Sequence, residues 1–177
     1  MKNYYYCCLV FMLTLLNSCK DYDSGYLYLE CDAPHNISYI IIERKNSDKS
    51  IPETNEDIKT IHINRVRKTY IRTIYTPWPK YVKDFPDDTF TILIFHTDTV
   101  SHYTWNQIRQ QNKLLVRYDI GADDYNKFPG TNKYKTNITI PYPPIPSMSS
   151  AHMYPPYEEV MAQYEEDCRK IAEREGE

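Results

Sequence analysis

Phe90-Thr91-Ile92-Leu93-Ile94-Phe95 decides the fold. In an extended chain successive side chains point to opposite faces, so Ile92 and Ile94 share one side while Leu93 and Phe95 share the other. Both sides are apolar, which predicts a central strand covered on both faces by a second sheet, a helix or both. Around this stretch, Thr89–Thr97, six others carry strand signals: Tyr26–Cys31, Ser38–Arg44, Lys59–Val66, Thr69–Tyr75, Lys113–Asp119 and Thr136–Tyr142. Most are bounded by Pro, Asn, Asp or Gly. In Lys59–Val66, Ile61 and Ile63 alternate with Thr60, His62 and Asn64, so one side is expected to be wet. This stretch and Thr69–Tyr75 read as a hairpin carrying Arg65, Arg67, Lys68 and Arg72. The plainer role of such cations is to guard a solvated edge from pairing; on an exported protein they also suit acidic surface sugars or lipid headgroups.

Composition points the same way. Beyond residue 18, Ile (18) and Tyr (15) far outnumber Leu and Ala (5 each), a bias that fits pleated sheets and argues against a helical bundle. The 159 residues left there suffice for one ordinary domain. With 20 Lys+Arg against 24 Asp+Glu, that portion carries a net charge of −4, which disfavours nucleic acid and anionic lipid as partners.

Helical signals are few. Ser101 or Thr104 can cap a short helix through Trp105, Ile108 and Gln111, and Asp123-Asp124 opens a brief turn ending near Phe128-Pro129-Gly130. From Pro141 to Pro156 there are six prolines in sixteen residues, which predicts an extended strap rather than a paired strand. Beyond it a helix is expected from Tyr157 to about Glu175, with Tyr157, Met161, Tyr164, Cys168 and Ile171 forming one stripe and Glu165–Arg169 and Glu166–Lys170 forming surface pairs. The stripe suits packing on the sheet or docking another protein.

At the N-terminus, Lys2 supplies positive charge, Cys7 to Leu16 form ten mostly apolar residues, and Leu16-Asn17-Ser18-Cys19 closes them. Ten such residues are too few to span a bilayer, and the pattern reads as a secretory signal. It resembles a bacterial lipoprotein signal, with Cys19 as the lipidated first residue of the mature chain. Residue 17 departs from the usual lipobox in being Asn. Lys20-Asp21-Tyr22-Asp23 resembles the surface-export signal of Bacteroidota lipoproteins. Once Cys7, Cys8 and Cys19 are set aside, Cys31 and Cys168 remain; they can form a disulfide in an oxidising compartment, or Cys168 can stay a free thiol on its helix stripe.

Chemistry-bearing motifs are sparse. His96, Asp98 and His102 offer zinc-type donors, but the spacing matches no established ligand pattern and suits ordinary strand-end histidines. Asp87-Asp88 and Asp123-Asp124 read as caps and turns rather than calcium ligands or paired carboxylates. No GxSxG, Walker-type or GxGxxG motif occurs, which argues against nucleotide chemistry, and neither a metal nor a cofactor is expected. Pro77-Trp78-Pro79-Lys80-Tyr81 presents Trp78 and Tyr81 on a proline-stiffened loop, where flat aromatic faces can stack on a ligand; plugging the end of the sheet is the alternative. Asp98-Thr99-Val100 resembles the O-glycosylation motif of exported Bacteroidota proteins, which would make Thr99 an acceptor.

Thr91-Ile92-Leu93-Ile94-Phe95-His96-Thr97-Asp98-Thr99, Tyr103-Thr104-Trp105-Asn106-Gln107-Ile108, Leu115-Val116-Arg117-Tyr118-Asp119-Ile120 and Ile138-Thr139-Ile140-Pro141-Tyr142-Pro143 together resemble a pattern of small uncharacterised lipoproteins of Bacteroidota. The resemblance covers the middle and later half of the chain and implies an address and a scaffold, with no activity attached. It implies that Trp105, Arg117 and Tyr118 fix that scaffold. Gly121 stands where a better cap for the acidic turn is expected.

The expected molecule is mainly β, an antiparallel sheet or immunoglobulin-like sandwich with short inserted helices and a C-terminal α-helix. Its parts are a signal over 1–18, a lipidated tether over 19–24, a β domain over 25–142, a proline-rich strap over 143–156 and an amphipathic helix over 157–177. The expected role is non-enzymatic binding or assembly by an outer-membrane lipoprotein, periplasmic or surface-exposed, held in the membrane through Cys19. Its partner would be an envelope protein or a glycan, not nucleic acid. A glycan-binding module and a hydrolase with an unfamiliar site are the alternatives. Cells fed radiolabelled palmitate should label the wild-type protein and not a Cys19→Ala variant; equal labelling overturns the anchor.

Overall fold

The computed structural model describes residues 24–42, 51–56, 58–61, 68–129 and 137–175. The expected signal over 1–18, Cys19, Arg65 and Arg67 lie outside them. The molecule is mainly β and sandwich-like. A smaller sheet has the order β4-β1-β7, with β1 spanning Gly25–Cys31, β4 Lys68–Ile74 and β7 Ile138–Tyr142. A larger sheet runs β3-β2-β5-β6-β8, from β2 (Ile37–Ile42), β3 (Lys59–Ile61), β5 (Phe90–His96), β6 (Val116–Ile120) and β8 (His152–Tyr154). All neighbours are antiparallel except β1 and β7.

Strand β5 lies at the middle of the larger sheet, and Phe90 through Phe95 are all buried. Ile92 and Ile94 join Leu27 and Leu29 of β1 and Ile138 and Ile140 of β7 in the core between the sheets. Leu93 and Phe95 form a second core on the outer side with Ile40, Ile42 and Ile51. The cover there is helical. Helices α2 (Thr97–His102) and α3 (Trp105–Gln110) follow β5, after α1 (Trp78–Tyr81) earlier in the chain. Ile108 enters the outer core, and the Trp105 ring lies 5.6 Å from that of Phe95. Thr104 and Gln107 close a capping box that starts α3. The Trp105 indole donates to Pro52 O at 2.7 Å and Arg109 to Ile51 O at 3.1 Å, fastening that segment over the sheet.

Polar contacts tie the scaffold at the other residues the resemblance singled out. The buried Tyr118 hydroxyl crosses the core to donate to Pro141 O at 2.8 Å, joining the larger sheet to the smaller. Asp119 accepts from the buried Thr91 hydroxyl at 2.6 Å and from Arg117 at 2.8 Å. At Gly121 the missing cap is supplied from ahead: Asp124 accepts from its N–H at 3.0 Å, while the Trp78 indole donates to its carbonyl at 2.9 Å. Lys127 pairs with Asp124 at 2.7 Å, so the short turn Asp123–Lys127 is held by its own charges.

Three expectations need correction. Among the described residues the expected hairpin is absent: β3 pairs with β2 in one sheet and β4 with β1 in the other, while residues 62–67 of the expected stretch lie outside the description. The strap is not wholly unpaired, because His152, Met153 and Tyr154 retain their N–H groups between the prolines and form edge strand β8 against β6. Pro141 also sits within a ladder, in β7 at the rim of the smaller sheet, where a missing donor is tolerated. On helix α4 (Tyr157–Glu175), Arg169 pairs with Glu166 and Glu173 instead of Glu165, while Glu166–Lys170 is present at 3.3 Å. That helix packs on the sandwich most deeply through Val160, a residue beside the expected stripe, and Tyr164 donates to Asp32 O at 2.9 Å.

Phe95→Ala tests the double cover. Losing a large ring from a packed site should cost about 3–5 kcal/mol in urea denaturation; a loss below about 1 kcal/mol would mean that the helices do not seal the outer face.

Candidate functional site

Tyr26-Leu27-Tyr28-Leu29 alternates two residue types, and β1 sorts them by face. Leu27 and Leu29 enter the core, leaving Tyr26 and Tyr28 on the outer side of the smaller sheet. A bulge in β4 then sets the register. Leu27 lies opposite Arg72 and Tyr28 opposite Tyr70, so Ile71 is the extra residue, and Tyr70 is turned onto the same outer face. The three rings pack on one another at centroid distances of 6.2 Å (Tyr26–Tyr28), 6.4 Å (Tyr26–Tyr70) and 6.2 Å (Tyr28–Tyr70), in tilted or edge-to-face arrangements. Tyr26 and Tyr70 nonetheless stay exposed, at 41% and 51%, while Tyr28 between them is half-buried.

Polar groups complete this shelf. The Tyr70 and Thr73 hydroxyls are 2.7 Å apart. Lys68 stands opposite Glu30 in the register, but its ammonium lies over the Tyr28 ring, 4.6 Å from the centroid, and pairs with no carboxylate among the described residues. The exposed large hydrophobic side chains among the described residues are all tyrosines: Tyr26, Tyr70, Tyr75, Tyr103 and Tyr154. This surface therefore offers flat aromatic faces with hydroxyls at their rims.

A second cluster lies where α4 meets the sandwich. His35 stacks on His96 at 4.2 Å and meets the Tyr142 ring edge-on at 6.2 Å; Tyr142 in turn meets Tyr164 of α4 at 6.5 Å. Neither ring nitrogen of His35 has a hydrogen-bond partner among the described residues. Burial, reinforced by His96, pushes the imidazole down from 6.5 to about 4 against the opposing pull of Asp167 and Asp98. Burial raises the Cys31 thiol and the Tyr142 phenol, and it lifts Tyr164 to about 12 with help from a hydrogen bond to Cys168. Each of these shifts favours the neutral form, as a packed junction requires.

The predicted ligand-stacking pair is overturned. Pro77-Trp78-Pro79-Lys80-Tyr81 is helical: α1 turns Trp78 fully into the core and half-buries Tyr81. The Trp78 ring packs on Phe90 at 5.8 Å and on Tyr81 at 5.4 Å, so its faces are occupied by protein and the plug reading holds. Thr99 lies half-buried in α2, where its carbonyl accepts from Tyr103 N–H. His96 Nδ1 accepts from Asp98 N–H at 3.1 Å and His102 Nδ1 lies 2.7 Å from Asp98 O, so both histidines serve the ends of α2. No group of three His, Cys, Asp or Glu among the described residues is arranged to hold a metal ion. Cys31 and Cys168 are free thiols, the first buried and the second half-buried. Asp87 and Asp88 both adopt positive φ, the turn role expected of them.

No protein-family model, curated protein or solved structure matches the chain. The resemblance to Bacteroidota lipoproteins thus rests on the quoted residues alone. Sequence reasoning missed the tyrosine shelf, although the Tyr-Leu alternation of β1 was its visible signal.

The His35 junction gives a pH prediction. The folded chain binds this proton less readily than the unfolded chain, so stability is lost as pH falls through 6.5 and the loss levels off below about 4. The opposing charges are Asp167 from α4 and Asp98 from α2, with His96 and Tyr142 as the facing rings. Comparing urea denaturation at pH 7.5 and 4.5, His35→Gln should lose less stability than wild type. An unchanged difference removes His35 as the cause.

Proposed function

We propose that this chain is a lipid-anchored cell-envelope protein with a non-enzymatic binding or assembly role, held at the outer membrane through Cys19, and that it engages its partner through the outer face of β1 and β4. The observation that carries the binding face is the shelf of Tyr26, Tyr28 and Tyr70, three mutually packed rings of which Tyr26 and Tyr70 are exposed. Amphipathic aromatic side chains have little conformational entropy to lose on binding, which is why they dominate recognition surfaces. The leader pattern and Cys19 support the address. The titratable cluster around His35 is built as a ring stack at a helix junction, so the reading gives it a structural part.

Photo-crosslinking in intact cells tests this. A crosslinking amino acid at position 70 should capture a discrete envelope component, whereas the same probe at the exposed Arg174 of α4 should not. Identical products from both positions, or products confined to cytosolic proteins, reject the binding face.

A further inference from the structure

We infer that the tyrosine shelf binds a polysaccharide bearing uronic acid residues, with Lys68 reading the carboxylate; this rests on the binding-face reading above and names its ligand class. A pyranose ring presents apolar C–H groups on one face and hydroxyls at its rim. Tyr26, Tyr28 and Tyr70 offer the complement: aromatic surface within one patch, with phenol oxygens and the Thr73 hydroxyl around it. The exposed large hydrophobics among the described residues are tyrosines, whose hydroxyls suit a hydroxyl-rich ligand.

Charge selects among sugars. The Lys68 ammonium lies 4.6 Å from the centre of the Tyr28 ring and is committed to no carboxylate among the described residues, so a carboxylate carried by a sugar stacked on the shelf falls within its reach. Glu30, opposite Lys68 across the ladder, sets the limit. One cation beside one carboxylate suits a singly charged uronate and opposes a doubly charged phosphate or a densely sulfated chain. Tyr103 and Lys113 make the same tyrosine–ammonium contact at 4.2 Å with no other tyrosine ring packed on Tyr103 among the described residues, and so supply an internal control.

The test uses the full chain purified in detergent, with polygalacturonate and neutral pullulan as probes and calorimetry as the readout. Wild type should bind polygalacturonate at least tenfold more tightly than pullulan. Tyr70→Ala and Tyr26→Ala, each checked for folding by circular dichroism, should weaken that binding at least tenfold. Lys68→Gln should abolish the preference for the charged polymer, and Tyr103→Ala should change nothing. Absence of polygalacturonate binding, a preference that survives Lys68→Gln, or equal losses in Tyr103→Ala and Tyr70→Ala overturns the inference. The crosslinking experiment separates the two levels. A specific envelope protein captured from position 70 without polygalacturonate binding leaves the binding face standing and rejects the uronate; failure of both rejects both.

Discussion

Strand β5 must be dry on both faces, and the rest of the molecule is arranged to meet that requirement. Its backbone is paired on both sides, six residues with β2 and five with β6, so its polar groups are satisfied within the larger sheet. Its side chains then need two separate covers. The smaller sheet supplies one through Leu27, Leu29, Ile138 and Ile140; α3 and residues 51–52 supply the other through Ile108, Trp105 and Ile51. Of the two covers considered from sequence, a second sheet and a helix, both are present, one on each side of β5. The Tyr118–Pro141 hydrogen bond crosses between the sheets and fixes their separation at a point where an unsatisfied phenol would be costly.

That division of labour also creates the shelf. The smaller sheet spends one face on β5, so the opposite face of β1 and β4 is left to water. A strand with one dry face and one wet face needs residues tolerant of both, and tyrosine is one of them: its ring packs laterally on its neighbours while its hydroxyl remains hydrated. The bulge at Ile71 matters because it brings Tyr70 opposite Tyr28 and completes the three-ring cluster. Fold and candidate site are thus linked through one register shift.

Much of the fold was legible because the signal was local. Alternation within Phe90–Phe95 named its two faces, and Thr104 announced α3 as a cap. What failed depended on distant partners. Adjacent β3 and β4 look like a hairpin because neighbours in sequence usually pair, yet each finds its partner in a different sheet. Proline on both sides of Trp78 suggested an exposed loop, but Pro77 and Pro79 fit the start of a helix, and the hydrogen bond to Gly121 that draws the indole inward spans 43 residues. Strand β8 was hidden by its flanking prolines, since composition over sixteen residues says little about three that keep their donors. The shelf was half visible: β1 showed its tyrosines, whereas Tyr70 could be added only once the bulge was known.

The shelf's modest size has a consequence for the proposed role. Three tyrosines and one ammonium on an open face exclude little water, so a single sugar unit would gain limited stacking energy and a largely screened charge contact. Useful affinity for such a surface comes from repetition: a polymer presents the same unit many times, and chains tethered to one membrane present many shelves at high local concentration. An anchor at Cys19 and a repeating ligand are therefore mutually dependent parts of the proposal. The anchor converts a weak contact into avidity, while rigid strands spare the shelf the entropy cost of ordering itself on each encounter.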